Sequence, residues 1–275
     1  MQCDDRKSDN MGKISSALYE IHELDEMAEK NTRLNEVHPL VKLTITVVYI
    51  TCVVSFHKYN LFGLLPFLLY PLVVFNFAEI SIKSCFKKLR VVLPLICFIG
   101  LFNPFFDHIP LYRIGSLVIS GGMISMLTLI IKGTFALVAS FLLIATTGIE
   151  RICYALKLLR LPSIIVTQIL LTYRYITLLL KEANAVFQAY SLRAPNEKGV
   201  RYKVWGSLLG QLLFRSIDRA GNLYDSMLLR GFTGEFYYAR TQKSSGTDYG
   251  YLFLWLGIFL ALRLLNIGAY VSLLW

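Results

Sequence analysis

Two short segments hold the residues best placed for directed chemistry, Leu192-Arg193-Ala194 and Leu229-Arg230-Gly231. In each, one arginine stands beside a small residue where a helix-length stretch ends. A guanidinium is a rigid, permanently charged fork of donors that can make several hydrogen bonds at once. A small neighbour lets that fork enter a narrow groove. The plainer reading is a basic residue at a helix C-terminus, worth about 0.3–1 kcal/mol. Either arginine alone fits it. Two such endings, 37 residues apart in one insertion, favour a pair of contacts on a partner.

Other residue types offer less. His22, His38, His57 and His108 stand at no metal-ligand spacing, so surface or turn positions are expected and no metal site. Cys3, Cys52, Cys85, Cys97 and Cys153 are scattered, with no CxxC pair, and read as small buried hydrophobes. No Gly-x-x-x-x-Gly-Lys-Ser/Thr loop occurs, so this chain is not expected to hydrolyse ATP itself. An intramembrane enzyme is the rival class. It would show paired acidic clusters for a magnesium diphosphate, GxSx with a later His, or HExxH. Asp4-Asp5 lies in a polar tail with no second acidic cluster positioned to help, and the two protease patterns are absent. Lys132 sits within an apolar stretch, where a base is a functional candidate by default or else snorkels to mark a boundary. Glu79 ends the second apolar run, where a carboxylate is ordinary.

The elements that must position these residues follow from composition. Of 275 residues, 55% are hydrophobic and 17% charged, with mean hydropathy +0.54. A soluble domain carries about 25% charge, so much of this surface must face lipid. The expected class is an all-α polytopic membrane protein with about five transmembrane helices and a cytoplasmic helical module. The net charge is +10, but residues 1–39 hold nine acids and five bases while residues 148–248 hold fourteen bases and seven acids. The bases flank or interrupt apolar segments, which fits positive cytoplasmic loops and argues against a nucleic-acid partner.

A span needs roughly 20 apolar residues. Residues 1–39 form a cytoplasmic segment without a secretory signal, containing a short amphipathic helix over Leu18–Lys30 on the membrane surface. Residues 40–147 hold transmembrane helices 1–4, in runs at 40–56, 61–78, 91–106 and near 124–147. Asn103-Pro104 marks a break, and Gly121-Gly122 separates an interfacial lead-in from the fourth span. Residues 148–248 hold the cytoplasmic helices and 249–275 the fifth helix. The loop at 79–90 carries four bases, whereas 57–60 and 107–116 carry one each. This asymmetry puts the N-terminus inside and the C-terminus outside. Residues 161–180 are nearly as apolar as a span, but Gln168 and Arg174 lie within, and a central Arg costs about 2.5–3.5 kcal/mol. That segment is read as a helix between protein and interface.

Two helices are expected in the insertion, one from Pro162 to Arg193 and one from Lys203 to Arg230. Ala194-Pro195 stops the first, and Gly231 supplies the left-handed residue ending the second. Along the second, Leu209, Leu213, Ile217, Ala220, Tyr224 and Met227 recur at helical spacing, with Arg215, Arg219, Asn222 and Ser226 on another face. A basic amphipathic helix of this kind rests on lipid headgroups or on a partner.

At these residues the chain resembles the transmembrane T component of energy-coupling factor (ECF) transporters. That family ends two coupling helices in Ala-Arg-X and Ala-Arg-Gly motifs, matched here by Leu192-Arg193-Ala194 and Leu229-Arg230-Gly231, with Leu in place of each leading Ala. His38-Pro39-Leu40-Val41-Lys42 is similar to the family's His/Asp-Pro-x-x-Lys start. Leu171-Thr172-Tyr173-Arg174-Tyr175-Ile176 with Glu182-Ala183 is similar to the cobalt branch (CbiQ-like). The resemblance implies a non-catalytic subunit in a prokaryotic cell membrane, with no cofactor of its own and ATP and magnesium on its partners. Those partners would be two ABC-type ATPases and a substrate-binding membrane subunit, with cobalt ion the favoured cargo and vitamin or nickel subunits the alternative. Arg193 and Arg230 would each dock in one ATPase groove. A conventional ABC permease would carry its own substrate pathway and one coupling loop, which the two Arg-ended helices argue against.

Overall fold

The computed structural model describes residues 19, 21–23, 25–28, 35, 37–78, 80, 82–106, 110–114, 117–195, 200–234 and 246–264. Glu79, His108, Cys3, Asp4-Asp5 and residues 265–275 of the expected fifth helix lie outside them. The helices are α1 (Pro39–Val54), α2 (Leu69–Ala78), α3 (Ile82–Leu101), α4 (Asn103–Phe106), α5 (Gly121–Thr147), α6 (Ile149–Leu158), α7 (Ser163–Arg193), α8 (Tyr202–Leu229) and α9 (Gly246–Leu264). A 3₁₀ segment, Phe62–Leu68, precedes α2, and one antiparallel hairpin, β1 (Pro110–Ile114) with β2 (Leu117–Ser120), is the strand structure among the described residues. The all-α expectation thus describes the architecture, with a short hairpin added.

The chain forms two compact units. One comprises residues 27–148 and 242–275, the other residues 1–26 and 149–241. In the first unit, α1 buries Val41, Ile45, Tyr49 and Val53, a four-residue period that lines one helix face. Against it stand Phe135, Ala139 and Leu142 of α5 and Trp255 and Phe259 of α9. Aromatic rings fill the centre: Tyr49 lies 4.6 Å from Tyr70 and 5.5 Å from Phe259, ring centre to ring centre. The outward faces are apolar too, with Val91 80%, Phe98 62%, Phe77 60% and Leu260 63% exposed, a surface suited to lipid and not to water. Among the described residues three helices are long and apolar enough to cross a membrane by length and composition, α5, α7 and α9. Pro39–Val54, Gly63–Ala78 and Leu89–Leu101 are shorter apolar helices.

Three local expectations are corrected. The run 61–78 is not one α-helix, because its first seven helical residues are 3₁₀. Pro66 and Pro71 have no N–H to give, so the i→i−4 ladder cannot continue through them. Tyr49 Oη donates to the Phe67 carbonyl at 3.0 Å, supplying a donor where Pro71 offers none. The basic stretch read as a loop at 79–90 is instead the start of α3 from Ile82 onward, since Lys and Arg are good helix formers. The lead-in before Gly121-Gly122 is a strand, as the branched Val118-Ile119 pair favours. The break at Asn103-Pro104 does occur, between α3 and α4.

Lys132 of α5 turns inward to the end of α1. Its ammonium donates to the Val54 carbonyl at 3.1 Å and to the Phe56 carbonyl. Arg263 of α9 donates to Ser55 O and Oγ at 3.3 and 3.1 Å and covers the Phe56 ring at 4.4 Å. The last carbonyls of a helix lack intrahelical partners and carry partial negative charge, and two cations meet them here. Of the readings open for Lys132, a helix-end cap is the one its contacts describe. Lys132→Met removes two charge-assisted hydrogen bonds from a helix end, and the expected result is a lower unfolding midpoint in detergent. An unchanged midpoint contradicts the capping role.

Candidate coupling site

Both arginine-tipped segments belong to the second unit. α7 follows Pro162, the residue just before its first turn, and ends at Arg193. Ala194 leaves helical geometry at φ −126°, its N–H still bonded to the Tyr190 carbonyl at 3.0 Å, and Pro195 cannot continue the ladder. α8 ends in a complete Schellman motif with Arg230 as its cap. Gly231 sits at φ +78°, its N–H on Leu228 O at 2.9 Å, while the Phe232 N–H reaches Met227 O at 3.0 Å. The left-handed residue that Gly231 alone takes without steric cost fixes where the chain turns away.

These terminations leave both tips bare. Arg193 and Arg230 are exposed, and the leucines preceding them are 82% and 90% exposed. An apolar side chain that open beside a charge contributes nothing to the unit's own packing. The sites therefore offer a guanidinium, an uncovered leucine and a small residue at each helix end.

Elsewhere α7 is held firmly. Arg219 of α8 pairs with Glu182 of α7, and Trp205 meets Phe187 edge-on at 5.6 Å. Tyr173 of α7 donates to Asp25 of the N-terminal segment at 2.6 Å, whose described residues over 19–28 are helical. Gln168 and Arg174, the polar residues within the apolar half of α7, are exposed.

The contact seam of α8 differs from the expected one. The half-buried positions are Val204, Leu208, Gly210, Leu212, Ser216, Arg219, Leu223 and Met227, and of these Met227 alone belongs to the expected stripe. Leu209, Leu213, Ile217 and Tyr224 are 53–59% exposed, and α8 buries no residue fully. Arg219, expected on the polar face, sits on the seam because Glu182 draws it there. Along most of α8 the seam is thus shifted by one position, which leaves Leu209, Leu213, Ile217 and Tyr224 uncovered within the unit.

A third helix in the insertion, α6, was not expected. It is only ten residues long, too short for a periodicity signal, with Glu150 in its first turn and Lys157 in its last to match the helix dipole. Its end is another Schellman turn, with Arg160 at φ +61° and the Leu161 N–H on Leu156 O at 3.3 Å. Burial and the neighbouring Glu150 carboxylate push the Cys153 thiol above its usual range, so it stays neutral and packs. Among the described residues no group of three His, Cys, Asp or Glu side chains could hold a metal ion. His38 instead caps α1, its Nδ1 accepting from the Leu40 N–H at 3.3 Å.

Residues 30–242 match the CbiQ family, described as cobalt transport protein. Over 104 residues the chain is 26% identical to the nickel permease LarQ of Lactiplantibacillus plantarum, covering 38% of each protein. Over 133 residues it is 26% identical to an uncharacterized protein of Methanocaldococcus jannaschii, covering 48% of this chain and 46% of the other. The chain thus aligns with less than half the length of the curated relatives it matches.

Proposed function

The chain belongs to the CbiQ family of cobalt transport proteins, a membrane transport family, and from that premise we propose that it is the coupling T subunit of an ATP-driven ECF importer for cobalt ion. In this reading α7 and α8 are cytoplasmic coupling helices. Arg193 docks in a groove of one ABC-type ATPase and Arg230 in that of the other. Closure of the ATPase pair on ATP and magnesium drives the helix ends toward each other. The displacement passes to a separate substrate-binding membrane subunit. The chain itself performs no catalysis.

The observation that carries this reading is the pair of exposed arginines, each at a sharply terminated helix end beside an exposed leucine. Charge-assisted hydrogen bonds are the strong ones, and both guanidinium-bearing residues are exposed. The exposed Gln168 and Arg174 support a cytoplasmic place for α7 despite its apolar length, since as a span it would present them to lipid. Nickel is the second reading for the cargo, favoured by the relative named a nickel permease.

Uptake of radiolabelled cobalt(II) and nickel(II) by cells expressing this chain with its neighbouring ATPases and membrane subunit tests the function. The expected result is cobalt uptake that disappears when this chain alone is omitted. Uptake unaffected by the omission overturns it. The inside-positive charge pattern supports a topology with the cytoplasmic helices on the side of the N-terminus and α9 running outward. A fluorescent protein fused after Trp275 is therefore expected to stay dark while a periplasm-active reporter there works; cytoplasmic fluorescence contradicts that orientation.

A further inference from the structure

The first unit contains a buried lysine that the coupling mechanism above does not use. Lys42, one turn into α1, is 6% exposed, and its ammonium donates to the Thr146 carbonyl at 3.0 Å. Thr146 lies in the last turn of α5, where carbonyls have no helical partner and the dipole is negative. Burying an ammonium is costly unless it is well paired, and a neutral side chain of the same length would pack in an apolar core at less cost. The same ammonium borders a small cavity lined also by Thr46, Tyr70, Thr146 and Tyr251.

Two residues beyond Thr146 the unit ends. Gly148 takes φ +73°, and a Cβ there would stand 3.2 Å from the Ala28 Cβ. Ala28 is itself the second residue of this unit after the chain enters it at Met27. It is 5% exposed, and Asn35 Nδ2 donates to its carbonyl at 3.3 Å. Beside Asn35, the His38 N–H is held by Asp248 Oδ1 at 3.3 Å. Ala28 and Gly148, near the two ends of the stretch 27–148, therefore lie together in one buried polar cluster of this unit. It is built from the last turn of α5, the first turn of α1 and the start of α9.

We propose that Lys42 is a positioning residue of the coupling machinery: it locks the last turn of α5, so that movement of the segment beginning at Ile149 is carried into the bundle instead of being absorbed by unwinding at Thr146–Gly148. This rests on the coupling role proposed above. A free helix end frays, and its carbonyls exchange protein partners for water. With the ammonium in place the final turn moves as part of α5, and α5 packs along α1. Gly148 keeps the passage narrow, because only a residue without a Cβ takes its conformation against Ala28 without strain.

The test uses the full complex reconstituted in proteoliposomes, with ATP hydrolysis and uptake of radiolabelled cobalt(II) read from the same sample. For Lys42→Met the expected result is assembly with the ATPases, hydrolysis within about twofold of wild type, and uptake per ATP lowered at least about tenfold. Gly148→Ala, which leaves the ammonium in place but distorts the passage, is expected to lower the same ratio. Hydrogen exchange of the amides at 145–148 in the isolated chain should rise at least about tenfold in Lys42→Met. A purely structural lysine would lower yield, hydrolysis and uptake together and leave their ratio unchanged. Unchanged ratios in both variants overturn the proposal, as does unchanged exchange at the end of α5. If the wild-type complex shows no uptake or no ATPase binding, the coupling reading fails instead, and the exchange measurement still decides whether Lys42 locks the turn.

Discussion

Arg193→Ala combined with Arg230→Ala is expected to abolish the proposed ATP-driven uptake while leaving the chain folded and inserted. Both residues are exposed at helix ends, where a cation stabilises its own helix by about 0.3–1 kcal/mol. That contribution is too small to unfold a unit held by the Glu182–Arg219 pair and the Phe187–Trp205 contact. At a desolvated partner groove the same truncation costs about 2–5 kcal/mol or more per charge, and each 1.4 kcal/mol is about tenfold. Two such losses bring uptake down by at least about a thousandfold, below detection in most assays. Each single variant should retain measurable transport, because one ATPase remains engaged. Normal uptake by the double variant, at wild-type abundance in the membrane, would sink the lever mechanism.

Tyr49→Ala has the largest expected effect on stability. Tyr49 is fully buried among Phe67, Tyr70 and Phe259, and its hydroxyl serves the Phe67 carbonyl above the proline that has no N–H. Removing a large aromatic side chain from a close-packed core costs about 3–5 kcal/mol, and the lost hydrogen bond strands a carbonyl in an apolar interior for about 1–3 kcal/mol more. A domain's whole net stability is about 5–15 kcal/mol, so the variant should be recovered in low yield as aggregate in detergent. Tyr49→Phe keeps the ring and loses only the hydroxyl, so its unfolding midpoint should fall by a few degrees. Equal yields and midpoints for all three chains would show that this aromatic cluster does not carry the bundle.

The helical, lipid-facing character of this chain is legible from composition because too few charges exist to clothe a soluble surface. The ends of α5, α7 and α8 are legible as well. Gly148 follows Thr147, Ala194-Pro195 follows Arg193 and Gly231 follows Arg230, and each stop acts through backbone geometry that a side chain dictates locally. What stays hidden depends on tertiary partners. The side of α8 that packs is set by Glu182 drawing Arg219 onto the seam, and no periodicity in α8 alone contains that pairing. The 3₁₀ start of the second run depends on two prolines and on a tyrosine donor from another helix. Lys42 reads as the lysine of the His-Pro-x-x-Lys start and Lys132 as a base within an apolar stretch, yet each caps the end of a different helix more than seventy residues away in sequence. Only the fold brings such a cation to its carbonyl.

For the candidate site, the matched helix endings at Arg193 and Arg230 were legible in the sequence, and both arginines are exposed there. The leucines before them were legible only as departures from a motif. Their openness to solvent leaves an apolar side chain uncovered beside each arginine.

The central claim is that the two arginine tips engage ATPases. The most direct measurement is affinity purification of the tagged chain from membranes containing its native neighbours, wild type beside the double arginine variant. The account predicts that ABC-type ATPases accompany the wild type and are lost from the variant, with the membrane partner retained by both. ATPases recovered equally with both chains would return Arg193 and Arg230 to ordinary helix-end residues, and their absence from both would contradict the coupling role itself.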